Sequence, residues 1–347
     1  MERTKITSEY SISRVIKGGW HLAGGHGKID EHKALEDMYK FVKAGITTFD
    51  CADIYTGVEE LIGKFRKKYQ DEFRTGDLPP IQVHTKYVPD YNALATLKKE
   101  DIVKIIDRSL KRLQVEQLDL VQFSWWDYQF PRYVETAVHL SELQQSGKIK
   151  HIGVTNFDTL RINEILDAGV NITANQVQYS LLDQRVEKKM TALAEKHNIP
   201  FLCYGTMAGG FLSDRYLGAP DPIQPYENRS LTKYRLIIDE FGGYELFQEL
   251  LRTLRKVADK HDVDIAEIAS KYILQKPMVG AVIIGARNSK HLNSLQKLNS
   301  FSLDENDLNK ISEITNLSQG PNGPFYELER DKTGKHGAIM KYNLNET

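Results

Sequence analysis

Cysteine is nearly absent: Cys51 and Cys203 are the two in a chain of 347 residues. Two are too few for a disulfide framework, and their separation is not a metal-ligand spacing. Both fall in apolar runs and are expected as buried thiols in a reducing, cytoplasmic setting. Charge of one sign is missing as well, because 46 Lys and Arg against 47 Asp and Glu leave a net −1. No global field draws the chain to nucleic acid or to a membrane surface, so any anion site has to be local. No apolar run approaches the ~18 residues of a transmembrane helix. The start, Met1-Glu2-Arg3-Thr4-Lys5, lacks the apolar core expected of a secretion signal. No low-complexity block is present, and no Gly-x-Gly-x-x-Gly follows the first strand. The glycine-rich segment Gly18 to Gly27 has a different spacing and is expected as a loop.

What the chain does have is a rhythm. Apolar, β-branched runs at 14–19, 47–52, 82–87, 118–123, 151–154, 174–177, 201–204 and 281–284 predict eight strands. Several are continuously apolar, such as Ala281-Val282-Ile283-Ile284, as parallel strands covered on both faces should be. Between them, apolar residues recur at helical spacing over 31–44, 59–68, 99–113, 132–146, 159–166, 186–197, 244–261 and 265–275. Gly45 and Gly147 suit C′ positions, and Asp158 and Asp264 suit N-caps. Eight strand–helix units predict an α/β fold, a (β/α)8 TIM barrel, with a doubly wound open sheet as the alternative. The barrel is expected over 1–317. Residues 318–347 are expected as an extension packed on it or partly disordered. Residues 207–243, with Pro220, Pro222 and Pro225, predict a long βα loop.

Chemistry on a barrel sits at the C-terminal strand ends. One run closes on Asp50-Cys51-Ala52-Asp53-Ile54-Tyr55, and the next closes on Lys86. Neighbouring parallel strands would bring Asp50, Tyr55 and Lys86 to one rim. Two readings of that spacing stand at this point. One is a strand-end turn with a packed tyrosine and a solvated lysine. The other is a proton donor, in which the ammonium lowers the phenol pKa and the carboxylate holds the lysine. Asp53 suits a local turn cap. The remaining ends carry Ser124-Trp125-Trp126-Asp127, Thr155-Asn156-Phe157, Asn175-Gln176, Tyr204-Gly205-Thr206 and Gly285-Ala286-Arg287. Polar and aromatic residues thus converge where the strand bodies stop being apolar, as in a cofactor-and-substrate cleft.

Over roughly Arg14 to Leu298 the chain resembles the aldo-keto reductases. Phe49-Asp50-Cys51-Ala52-Asp53-Ile54-Tyr55 with Glu59-Glu60-Leu61-Ile62-Gly63 is similar to the family's first signature. Lys148-Ile149-Lys150-His151-Ile152-Gly153-Val154-Thr155-Asn156-Phe157 is similar to the second, and Ile283-Ile284-Gly285-Ala286-Arg287 to the third. The resemblance implies hydride transfer between a nicotinamide cofactor and a carbonyl or alcohol. It implies Tyr55 as general acid, Lys86 tuning it and Asp50 pairing with Lys86. Thr155, Asn156 and Gln176 would hold the nicotinamide carboxamide, and Tyr204 would stack on the ring. Backbone near Thr206, Met207, Gly209 and Gly210 would hold the pyrophosphate, and Gly205 beside them would also contact the cofactor. At the third signature, Gly285 is expected among the cofactor-binding residues and Arg287 would meet the 2′-phosphate, favouring NADP (NADPH) over NAD. Trp20, Tyr87, Trp125 and Trp126 are expected as the substrate wall.

The chain departs from the family pattern in two regions. Ser124 stands where the fourth catalytic residue is usually histidine, and it donates a single neutral hydrogen bond. His21 offers an imidazole at the first strand's end, with a satisfied loop histidine as the other reading. At the adenine end, Ser294 and Leu295 replace an acid and an amide, while His291 is placed to stack on adenine. The Ser124 departure keeps open an alternative to the oxidoreductase: a cofactor-binding homologue with weak or no turnover, serving redox sensing or interaction. A lyase or hydrolase is disfavoured, since the sequence shows neither a metal cluster nor a nucleophile–His–acid set.

Overall fold

The computed structural model describes residues 1–23, 27, 29–187 and 189–345. Residues 24–26 of the glycine-rich segment, and residue 28 just after it, lie outside that description. The strands are β1 (Arg3–Lys5), β2 (Ser11–Ser13), β3 (Val15–Gly18), β4 (Thr48–Asp50), β5 (Gln82–Tyr87), β6 (Leu118–Phe123), β7 (Ile149–Thr155), β8 (Asn175–Gln178), β9 (Phe201–Tyr204) and β10 (Val279–Gly285). The last eight close into an all-parallel barrel in the order β10-β3-β4-β5-β6-β7-β8-β9. The expected (β/α)8 barrel is therefore the observed fold, and the open-sheet alternative falls. The strands are buried because helices cover their outer face and packed side chains fill the inner one, and β5 and β8 nonetheless carry polar residues such as His84, Lys86 and Gln176.

An antiparallel hairpin of β1 and β2, which the sequence reading did not foresee, precedes the barrel. It brings Ile6, Tyr10 and Ile12 into one buried cluster with the barrel residues Ile16, Leu120, Ala174, Leu202, Ala281 and Ile283. This seals the end of the barrel away from the chemistry. The expected helix punctuation is largely present. Asp158 accepts from the Arg161 backbone N–H at 2.9 Å, and Asp30, which the sequence reading did not single out, accepts from that of Lys33 at 3.1 Å. Gly45 and Gly147 adopt φ of +82° and +85°. Asp264 is the exception: it precedes the helix Ile265–Leu274 without a side-chain capping bond. Instead the Ile265 N–H donates to Asp214 Oδ2 at 3.0 Å.

The long 207–243 connection is not all loop. A helix spans Arg229–Phe241, capped by Asn228 and buried along Leu231, Tyr234, Ile237, Ile238 and Phe241. The prolines confine the irregular part to the residues before it. Cys51 and Cys203 are free and fully buried, and burial pushes both thiols up.

Candidate active site

Strand register builds the site. Asp50 of β4 pairs with His84 of β5, and Lys86, two residues on, pairs with Gln122 of β6. With a side-chain period of two, His84 and Lys86 share the inward face. Lys86 Nζ donates to both Asp50 oxygens, at 2.8 and 2.7 Å, and to the Cys51 carbonyl at 2.8 Å. Gln122 and Gln176 each donate to Asp50 Oδ1, at 3.1 and 2.7 Å, and Gln176 Nε2 also reaches Gln122 Oε1 at 2.9 Å. Gly153, paired with Gln122, leaves room for that crossing: a Cβ there would stand 2.9 Å from the Ala174 carbonyl and 3.5 Å from Gln122 Cγ. The sequence reading missed Gln122. The available signal was a glutamine at an inward position near the end of β6, two residues after Leu120.

Tyr55 lies over this network, with Lys86 Nζ 5.1 Å from its ring centroid. Burial would lower the Lys86 ammonium, but the Asp50 carboxylate and the Tyr55 hydroxyl outweigh it and hold the lysine raised. Burial pushes the Tyr55 phenol up to about 12; Lys86 pulls it down, as expected, but does not prevail, and Asp50 adds to the rise. Asp53 is the turn cap: its oxygens accept from the Ile54 and Val88 N–H groups at 3.0 and 3.1 Å, and burial raises its carboxyl to about 8.

A cavity of about 380 Å³ opens above Tyr55 and Lys86. Trp20, Ser124 and Trp126 line it, with the Trp20 ring 5.1 Å from that of Tyr55. Tyr87 and Trp125 do not, which corrects their expected place in the wall. Pleat alternation turns Tyr87 outward, where it stacks 6.0 Å from Phe123. The Trp125 indole N–H is spent on the Asp127 and Phe130 carbonyls at 2.9 and 3.0 Å. At the pairing depth of the two strands, Ser124 and Trp126 face the cavity and Trp125 faces the shell.

The other half of the cavity gathers Thr155, Asn156, Gln176, Tyr204, Gly205, Thr206, Met207, Gly209, Gly210 and Gly285. Asn156 adopts a left-handed φ of +62°, and its Oδ1 accepts from the Tyr204 hydroxyl at 2.8 Å. Gly205 cannot be replaced without a clash: φ is +76° and a Cβ would stand 2.2 Å from the Tyr234 hydroxyl. His21 lines the same half, with its ring 2.2 Å from where a Gly285 Cβ would be. Arg229, Ser230, Lys233 and Tyr234, from the unforeseen helix, complete this wall. Lys233 Nζ sits 5.3, 5.8 and 5.4 Å from the Tyr204, Tyr234 and Tyr326 ring centroids, and burial lowers its ammonium. Arg287 and His291 stand exposed outside the cavity, and the Arg287 guanidinium lies against Gly27.

The C-terminal tail forms the remaining wall, with Tyr326, Ile339, Met340, Lys341 and Leu344 at the cavity. It is fastened at both ends. Arg185 donates to Glu329 at 3.1 and 3.0 Å and to Asp183 at 2.9 and 2.7 Å, with all three side chains buried. At the far end, Asp90 Oδ1 accepts from the Leu344 and Asn345 N–H groups at 2.7 and 2.9 Å. Among the described residues no group of acids, histidines and cysteines could hold a metal ion, and no helix is long and apolar enough to cross a membrane.

Comparison with known proteins agrees with this architecture. The chain is 28% identical over 341 residues to aldo-keto reductase YhdN of Bacillus subtilis, covering 94% of this chain and 97% of that protein. It is 25% identical over 320 residues to L-glyceraldehyde 3-phosphate reductase of Escherichia coli, covering 85% and 87%. Among solved structures, the glycerol dehydrogenase AKR11B4 from Gluconobacter oxydans shares the fold with a TM-score of 0.74 at 24% identity, covering 93% of this chain and 98% of that one. The model of the aldo/keto reductase family matches residues 14–316, and this chain belongs to that family.

Proposed function

We propose that this protein is an NADPH-dependent oxidoreductase that reduces small aldehydes or ketones. The observation that carries the reading is the buried Asp50–Lys86 pair beneath Tyr55 on the cavity floor. The residues around the cavity suit a nicotinamide cofactor. Asn156 and Gln176 are complementary to a carboxamide: the first keeps its amide N–H groups once Oδ1 is used, and the second keeps its Oε1 once Nε2 is used. The backbone from Gly205 to Gly210 lines the cavity, with open space at Gly210, and Arg229 with Lys233 supply cations for phosphate. Arg287 and His291 remain assigned to the 2′-phosphate and adenine. When bound, the cofactor supplies the hydride. Tyr55, protonated at neutral pH, gives its proton to the carbonyl oxygen, while Lys86 stabilises the phenolate left behind. Ser124 donates the second hydrogen bond to that oxygen. Trp20, Trp126, Ile54 and Met340 exclude water.

The test is a fluorescence titration with NADPH and NADH. Cofactor oxidation is then followed with an aldehyde panel that includes glyceraldehyde 3-phosphate, and cofactor reduction with glycerol. NADPH binding followed by turnover supports the reading. Binding without turnover across a wide panel favours the sensing or interaction alternative that Ser124 keeps open. Binding of neither cofactor ends both.

A further inference from the structure

Arg330, next to the anchored Glu329, makes contacts that the proposed chemistry does not require. Its Nη2 donates to the carbonyl of Asn156 and, at 3.3 Å, to that of Trp125. Its Nη1 donates to the Tyr326 carbonyl at 3.3 Å. The guanidinium lies over Tyr128 at 4.2 Å and Tyr326 at 5.2 Å, measured to the ring centroids. One flat cation thus bridges the ends of β6 and β7 and ties both to the tail.

Asn156 is the residue this bridge meets. Asparagine tolerates left-handed φ better than other non-glycine residues, so the contacts around it fix the direction of its peptide rather than force the conformation. Here the Asn156 N–H donates to the Gln176 carbonyl at 3.1 Å, the side chain takes the Tyr204 hydroxyl, and the carbonyl takes Arg330. We propose that Arg330 is a positioning residue, holding the Asn156 peptide so that its side-chain amide faces the nicotinamide end of the cleft. The proposal rests on the reading that the cleft binds a nicotinamide cofactor. Only arginine can both stack between two rings and fork to several carbonyls, so lysine is not an adequate substitute. Glu329, held by Arg185, fixes where the guanidinium starts.

The test compares full-length protein with Arg330→Met and Arg330→Lys, using NADPH and adenosine 2′,5′-bisphosphate, a fragment that lacks the nicotinamide. Both variants are expected to bind NADPH about 10-fold more weakly and to lose kcat, with fragment affinity unchanged. The lysine variant gives the same comparison if the methionine variant does not fold. Unchanged NADPH affinity, or equal losses for NADPH and the fragment, would overturn the proposal. An unsubstituted protein that binds neither NADPH nor NADH would instead refute the cofactor reading beneath it.

Discussion

At Tyr55 two effects compete, and burial exceeds the pull of Lys86, leaving the phenol at about 12. Its sign sets a direction. A donor that stays protonated up to about 12 suits reduction. Alcohol oxidation needs the phenolate, whose population rises about tenfold per pH unit below that value. Steady-state rates are therefore expected to be flat with pH for reduction across the neutral range, and to climb with pH for oxidation. Ser124→Ala removes a donor beside the same oxygen and is expected to lower kcat by about 10²-fold, with NADPH affinity retained. Asp50, Tyr55 and Lys86 were legible in the sequence because each ends or follows a short apolar run. Tyr87 and Trp125 were misplaced because composition does not give the pleat phase at a strand end, and that phase decides which of two adjacent aromatics meets the cavity.

At the scale of elements, register and close packing govern what can change. Gly63, on the helix Val58–Lys68, would place a Cβ 2.2 Å from the Arg112 carbonyl. Gly63→Ala is expected to cost about 1–3 kcal/mol, read as a lower urea midpoint at unchanged slope. On β5, burial drives the His84 imidazole down to about 3, with the Lys86 and His151 charges adding. The folded state holds it neutral, so its contribution is complete above the ordinary value near 6.5 and is lost as pH falls from there toward 3. Denaturation of the His84→Gln variant is expected to show a shallower acid loss than the parent over that interval. The helix Arg229–Phe241 had a visible apolar spacing, but three nearby prolines outweighed it. Its polar residues at the cavity were consequently missed.

Across the whole molecule, the tail supplies one wall of the cavity at the barrel mouth. The Arg185–Glu329 contact joins residues 144 apart, a distance at which no local pattern is visible, so the sequence pointed only to some packing of the tail. Glu329→Ala leaves Arg185 paired with Asp183, so its stability cost should fall short of the ~3–5 kcal/mol of a fully broken buried pair. Its main expected effect is faster proteolysis within residues 324–345, measured against the parent under native conditions. The barrel itself was legible because strand and helix periods alternate over most of the chain. The N-terminal hairpin was not, since each of its strands has three residues.

The central claim is that Tyr55 hands a proton to a carbonyl in a cleft that holds NADPH. The direct measurement is the single-turnover rate of NADPH oxidation, at saturating cofactor and aldehyde, in the parent protein and in Tyr55→Phe. The expected result is NADPH binding unchanged and a rate lower by at least about 10²-fold. A Tyr55→Phe protein that turns over at the parent rate would contradict it.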